Sequence, residues 1–128
     1  PTYHVMEMYN VHQDATLIPI QLKSNDYILG KEKLPAVSVS ASKDANGVTH
    51  ISLVNIDVNK SQEISIDIRG SNYSSVAGRI LTSKKVQDFN SFEEPNKIQP
   101  TTYNGAKLTG NSLTLQIPPN AVVVLTLK

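Results

Sequence analysis

The sequence predicts an all-β chain, an antiparallel two-sheet β-sandwich of jelly-roll type, led in by one N-terminal α-helix. Residue usage is the first reason. Val and Ile together number 23 against 11 Leu, and branched side chains are stiff at χ1 and suit a pleated surface. Ser, Thr and Asn supply 33 more residues, types that favour turns and caps over helix interiors. The second reason is patterning. From Thr16 onward, short apolar runs of period two recur at regular intervals with turn residues between them, as in antiparallel sandwiches.

The leading segment is different. Tyr3–Asp14 contains no Gly or Pro, and Thr2 stands where a helix N-cap would. Its apolar residues are Tyr3, Val5, Met6, Met8, Tyr9 and Val11. Its polar residues His4, Glu7, Asn10 and Asp14 recur at spacings of three and four, a narrow wet stripe on a helix. A helix apolar around most of its girth needs more than one neighbour to cover it. That surplus, with a start on Pro1 and no initiating Met, leads us to expect a chain cut from something larger. No secretory leader is visible, and a fragment would not display one.

The strands follow in order. Leu17–Leu22 reads as a strand with Pro19 inside it, hence an edge or a bulge. Val37, Val39 and Ala41 alternate with Ser38, Ser40 and Ser42. Asp44-Ala45-Asn46-Gly47 then turns into Val48–Ile56, and Asn46-Gly47 predicts a tight primed hairpin, because both residues tolerate positive φ. Ile64, Ile66 and Ile68 alternate with polar residues up to Gly70, and Val76–Ser83 is a further strand. Residues 84–105 lack a clear period and predict a long loop with one short strand. Leu113, Leu115 and Ile117 alternate with Thr114 and Gln116, and Pro118-Pro119-Asn120 makes a turn. Ala121–Leu127 is nearly continuous in apolar residues, which predicts a central strand.

Composition removes several function classes. Twelve Lys and Arg against eleven Asp and Glu give a net charge of +1, so neither nucleic acid nor an anionic membrane is expected as a partner. The longest apolar run, Ala121–Leu125, is far short of the roughly 20 residues a spanning helix needs. With no cysteine, disulfides, thiolate metal sites and thiol catalysis are excluded.

No constellation makes a catalytic centre. His4 and Glu7 lie three apart on the predicted helix, but His12 points elsewhere and no second carboxylate is in register, so a polar stripe outweighs a metal site. Glu93-Glu94 is the sole acidic doublet, and glycosidase carboxyls must face each other across a substrate rather than adjoin in a loop. Asp44-Ala45-Asn46-Gly47 begins like a calcium loop but lacks the closing glutamate. No G-x-S-x-G elbow supports a Ser-His-Asp triad. Trp is absent, Tyr3 and Tyr9 sit in the helix, and Tyr27, Tyr73, Phe89, Phe92 and Tyr103 are expected in core or loop packing rather than in a sugar platform. We assign no catalytic, cofactor-binding or metal residue and expect no cofactor.

Four stretches together resemble one family. Pro1–Ala15 is similar to the stretch near the end of the catalytic barrel in family-51 α-L-arabinofuranosidases, and Ile51–Asp57 resembles the central strand of their C-terminal sandwich. Phe89-Asn90-Ser91-Phe92-Glu93-Glu94-Pro95-Asn96 resembles their asparagine-and-proline loop, and Ile117–Leu125 their closing strand. The resemblance implies a (β/α)8 barrel upstream that holds two glutamates, an acid/base and a nucleophile, and cleaves with retention. Neither glutamate is matched by Glu7, Glu93 or Glu94. Residues 1–15 would be the last helix of that barrel and 16–128 the C-terminal β-sandwich packed on it.

The expected function is therefore a non-catalytic support of a glycoside hydrolase that removes terminal arabinofuranosyl residues from plant polysaccharides. Its partners would be its own barrel and, through the parent, an arabinose-containing polysaccharide. A secreted or periplasmic parent is expected. Exposure of Met6, Met8 or Tyr9 would let the isolated chain form a homo-oligomer through the helix. A carbohydrate-binding module and an adhesion-type structural sandwich stay open as alternatives.

Overall fold

Helix α1 (Thr2–Tyr9) opens the chain and runs into a single 3-10 turn, Asn10–His12. The computed structural model describes residues 1–20, 26–70 and 72–128, and only the main chain of Leu29. The helix is shorter than the predicted Tyr3–Asp14. Asp14 takes a φ of 57°, which no right-handed helix includes and which a short polar side chain tolerates. Thr2 lies inside the helix, and Pro1 holds the N-cap position without a side-chain bond.

Among the described residues eleven strands follow: β1 (Thr16–Ile18), β2 (Asp26–Leu29), β3 (Glu32–Pro35), β4 (Val37–Lys43), β5 (Thr49–Asn55), β6 (Gln62–Asp67), β7 (Val76–Thr82), β8 (Thr101–Tyr103), β9 (Lys107–Thr109), β10 (Ser112–Ile117) and β11 (Ala121–Leu127). The larger sheet has the order β1-β4-β5-β11-β7-β8, and the smaller β6-β10-β9; all pairings are antiparallel. β2 and β3 form a separate hairpin. The chain passes from the larger sheet at β5 to the smaller at β6, returns at β7, and crosses again from β10 to β11. This ties two faces into one core. Leu53, Val123, Leu125 and Leu127 from one sheet meet Leu113 and Ile117 from the other, all fully buried. Each such side chain contributes about 1.5–3 kcal/mol of burial.

β11 is central, as its continuous apolar pattern predicts, and the long loop carries one short strand, β8. Three expectations need correction. The strand over Leu17–Leu22 ends at Ile18, ahead of Pro19, which cannot donate to a ladder; Gln21 and Leu22 lie outside the described residues. The Asp44–Gly47 turn is not a two-residue primed hairpin. Only Gly47 takes a positive φ, 80°, and Asp44 organises the loop by accepting from the Asn46 N–H at 2.8 Å and the Val48 N–H at 3.0 Å. Strands β2, β3 and β9 were not expected, because each is only three or four residues long and none alternates apolar with polar residues over enough positions to show a period.

One buried polar group closes the end of the sandwich. Asn55, 1% exposed, donates through Nδ2 to the carbonyls of Lys60 at 3.0 Å, Ile117 at 3.3 Å and Pro118 at 3.0 Å. Its Oδ1 accepts the Asp57 N–H at 3.0 Å. Asp57 in turn accepts from the N–H groups of Asn59 and Lys60, and its carbonyl receives Asn120 N–H. The turn before β11 is thereby fixed to the end of β5.

Candidate functional site

The outer face of the larger sheet is where the chain departs from a simple sandwich. Register sets Ser38, Val54, Val122 and Leu81 in one row, Ser40, Ser52, Val124 and Arg79 in the next, and Ser42, His50, Thr126 and Ala77 in a third. The face is therefore polar over β4 and most of β5, and over β11 and β7 it carries the apolar Val122, Val124, Ala77 and Leu81 beside Thr126 and Arg79. The helix matches both halves.

Met8, 1% exposed, packs with Leu81, Val124 and Ile98 of the β7–β8 loop, flanked by Val5, Tyr9, Val11 and Val122. On the polar side, His12 bridges two strands, with Nδ1 2.6 Å from Ser42 Oγ and Nε2 2.5 Å from Ser52 Oγ. A neutral imidazole donates through one nitrogen and accepts through the other, so both bonds form at once. Glu7 accepts from Arg79 Nη1 at 2.9 Å. That hydrogen bond holds the Glu7 carboxyl below its ordinary range, although both side chains are half exposed and the pair adds little stability. Burial raises the Tyr9 phenol, opposed by its bond with Ser52.

Burial lowers the His12 pKa, and the charge of His50 lowers it further, from an ordinary 6.5. The folded state then resists a proton that the unfolded chain accepts, so stability rises with pH through the window just below 6.5 and is level above it. His12→Gln should flatten this part of a melting-temperature profile. The loss at more acid pH, as the solution falls below the ordinary carboxylate range and depressed carboxylates such as Glu7, Asp44 and Asp88 take up protons, should remain.

The residues considered for chemistry are dispersed. Glu7 is engaged by Arg79, while His4 meets Tyr3 edge to face at 5.6 Å. Glu93 and Glu94 are exposed in the β7–β8 loop, with Lys97 3.7 Å from Glu94. Asp44 serves its turn and lies 3.4 Å from His50 Nε2. The aromatic residues do not form a row: Tyr103 is buried and donates to the Gln116 carbonyl at 2.6 Å, Tyr73 bonds Thr49 at 2.6 Å, and Phe89 and Phe92 face outward. A cleft of about 670 Å³ opens between the sheets beside Ile18, Val39, Ile64 and Tyr73. A second of about 380 Å³ lies between Val58, Val86 and Pro118. Neither holds facing carboxyls. The Glu7–Arg79 and His12–serine contacts escaped the sequence reading, because both join residues far apart in the chain.

The family model for the alpha-L-arabinofuranosidase C-terminal domain matches residues 1–121. The chain belongs to this family. Its match takes in α1 and the strands β1 to β10, ending at the start of β11. The chain is 40% identical to an intracellular exo-alpha-L-arabinofuranosidase of Bacteroides ovatus, over 100% of this chain and 25% of that protein. It superposes on the family-51 arabinofuranosidase of Xanthomonas axonopodis pv. citri with a TM-score of 0.97 at 34% identity, covering 100% of this chain and 26% of that one. The thermostable family-51 enzyme of Thermotoga petrophila shares the fold at TM-score 0.80 and 18% identity, over 100% of this chain and 29% of that one. This arabinofuranosidase domain thus spans about a quarter of the relatives it matches. The Bacteroides protein's intracellular designation overturns the expectation of a secreted or periplasmic parent.

Proposed function

We propose that the chain is the non-catalytic sandwich of an α-L-arabinofuranosidase, packed on an upstream (β/α)8 barrel and stabilising it. In this reading residues 1–15 form the last helical segment of the barrel region and 16–128 the supporting sandwich. The observation that carries it is the superposition of the whole chain, α1 included, on a 26% portion of a family-51 enzyme. The helix supports it too. Met8 is sealed against the sheet, while Tyr3 and Met6 stay 75% and 71% exposed on a helix that the sandwich covers from one side only. The exposure expected at Met6, Met8 or Tyr9 is found at Met6, while Met8 is buried and Tyr9 half-buried. The isolated chain would use Tyr3 and Met6 for self-association.

The hydrolysis would release terminal arabinofuranosyl groups with retention, through two barrel glutamates. An enzyme inside the cell meets only what has been taken up, so arabinose-bearing oligosaccharides derived from plant polysaccharides are its substrates. A chromogenic α-L-arabinofuranoside tests the division of labour. The chain alone should release no chromophore, and the longer protein that includes the barrel should turn over. Hydrolysis by this chain alone would refute the reading.

A further inference from the structure

We infer that the β7–β8 loop, through Phe89 and Phe92, is a second docking element for the catalytic part of the same polypeptide, beside α1. The inference rests on the proposed barrel-bracing role and adds a place to it. The loop is built rather than slack. Ser83 donates its hydroxyl to Asp88, and Lys97 Nζ lies 3.2 Å from Asp88 and 3.7 Å from Glu94. Asn90 clasps Ile98 twice, donating to its carbonyl at 2.9 Å and accepting its N–H at 2.7 Å. Ser91 and Glu94 close the tip reciprocally, by Ser91 N–H to the Glu94 carbonyl at 3.3 Å and Glu94 N–H to Ser91 Oγ at 3.1 Å.

What this bracing presents is apolar. Phe92 stands at the tip, fully exposed, where polar residues and glycine are the usual choice, and Phe89 is 66% exposed. Single exposed apolar residues are ordinary, but a cross-linked loop that holds two phenyl rings in water calls for a cover. Position supplies the occupant. Ile98 anchors the loop in the cluster that seats Met8, so the loop and α1 lie in one layer on one face of the sheet. Roughly three quarters of each relative lies outside the matched domain, and the same layer superposes on part of an intact enzyme. A sugar platform is the weaker fit, because the loop's rings carry no hydroxyl or indole N–H and Tyr73 and Tyr103 are engaged elsewhere.

The test uses the longer, active protein. Phe89→Ser with Phe92→Ser should shorten the half-life of activity on heating by about tenfold or more, with turnover before heating unchanged. Ile28→Ser with Leu34→Ser, on the comparably exposed β2–β3 hairpin, should leave the half-life as it is. A benzophenone analogue of phenylalanine at position 92 should cross-link within one polypeptide, to the upstream part. An unchanged half-life, a cross-link between two copies, or one to added arabino-oligosaccharide would each overturn the inference. Met6→Asp separates the two levels. If it shortens the half-life and the phenylalanine pair does not, the bracing role stands and the second element fails. If neither does, the bracing role itself fails.

Discussion

Asn55→Ala should destabilise the domain by about 2–4 kcal/mol in urea unfolding, with an unchanged m-value. The substitution removes one small side chain and creates little void. Its effect comes from the four hydrogen bonds that the amide makes with the Lys60, Ile117 and Pro118 carbonyls and the Asp57 N–H. Those groups sit around a residue with 1% exposure, and a buried polar group without a partner keeps its full desolvation cost. Asn55→Asp is the informative companion. It retains the acceptor for Asp57 N–H but points an anion at three carbonyl oxygens, so at neutral pH it should be at least as damaging as alanine. A variant Asn55→Ala that melts like the parent would mean that the closure at this end of the sandwich is incidental.

The second large effect concerns Gly78, which lies opposite Leu125 on one side and Tyr103 on the other. A Cβ there would stand 2.9 Å from Leu125 Cδ2 and 3.0 Å from both Tyr103 Cδ1 and the Tyr103 carbonyl oxygen. The backbone oxygen cannot swing aside, so Gly78→Ala should cost about 1–3 kcal/mol by overpacking. Leu125→Ala, at a fully buried position, should cost about 2–5 kcal/mol through lost burial and a residual cavity. The two are not independent. With Leu125 shortened, one of the three close contacts disappears, so the double variant should be more stable than the sum of the singles predicts. Strict additivity would show that Leu125 and Gly78 do not share space.

These two sites mark where the sequence was and was not legible. The alternation in Val37–Ala41, Ile64–Ile68 and Leu113–Ile117, and the unbroken run Ala121–Leu127, each report one or two buried faces, and the strands lie there. The excess of apolar residues in Tyr3–Val11 likewise announced a helix needing more than one cover, and Met8 against Leu81 and Val124 is the first of them. Local patterning carries such information because burial acts residue by residue. Asn55 had no local signal, since its partners lie up to 63 residues away. Arg79 with Glu7, and His12 with Ser42 and Ser52, are likewise products of register between distant strands and the helix. The exposed state of Phe89 and Phe92 ran against the expectation of core or loop packing, because apolar character alone does not say whether a residue is buried.

If this domain supports chemistry carried by an upstream barrel, that barrel should depend on it. The most direct measurement is arabinofuranosidase activity remaining after graded heating of the upstream barrel produced alone, beside the same barrel joined to residues 1–128. The barrel alone should be insoluble or lose activity far sooner, while the joined protein keeps it. A barrel that is equally active and equally heat-resistant without this domain would contradict it.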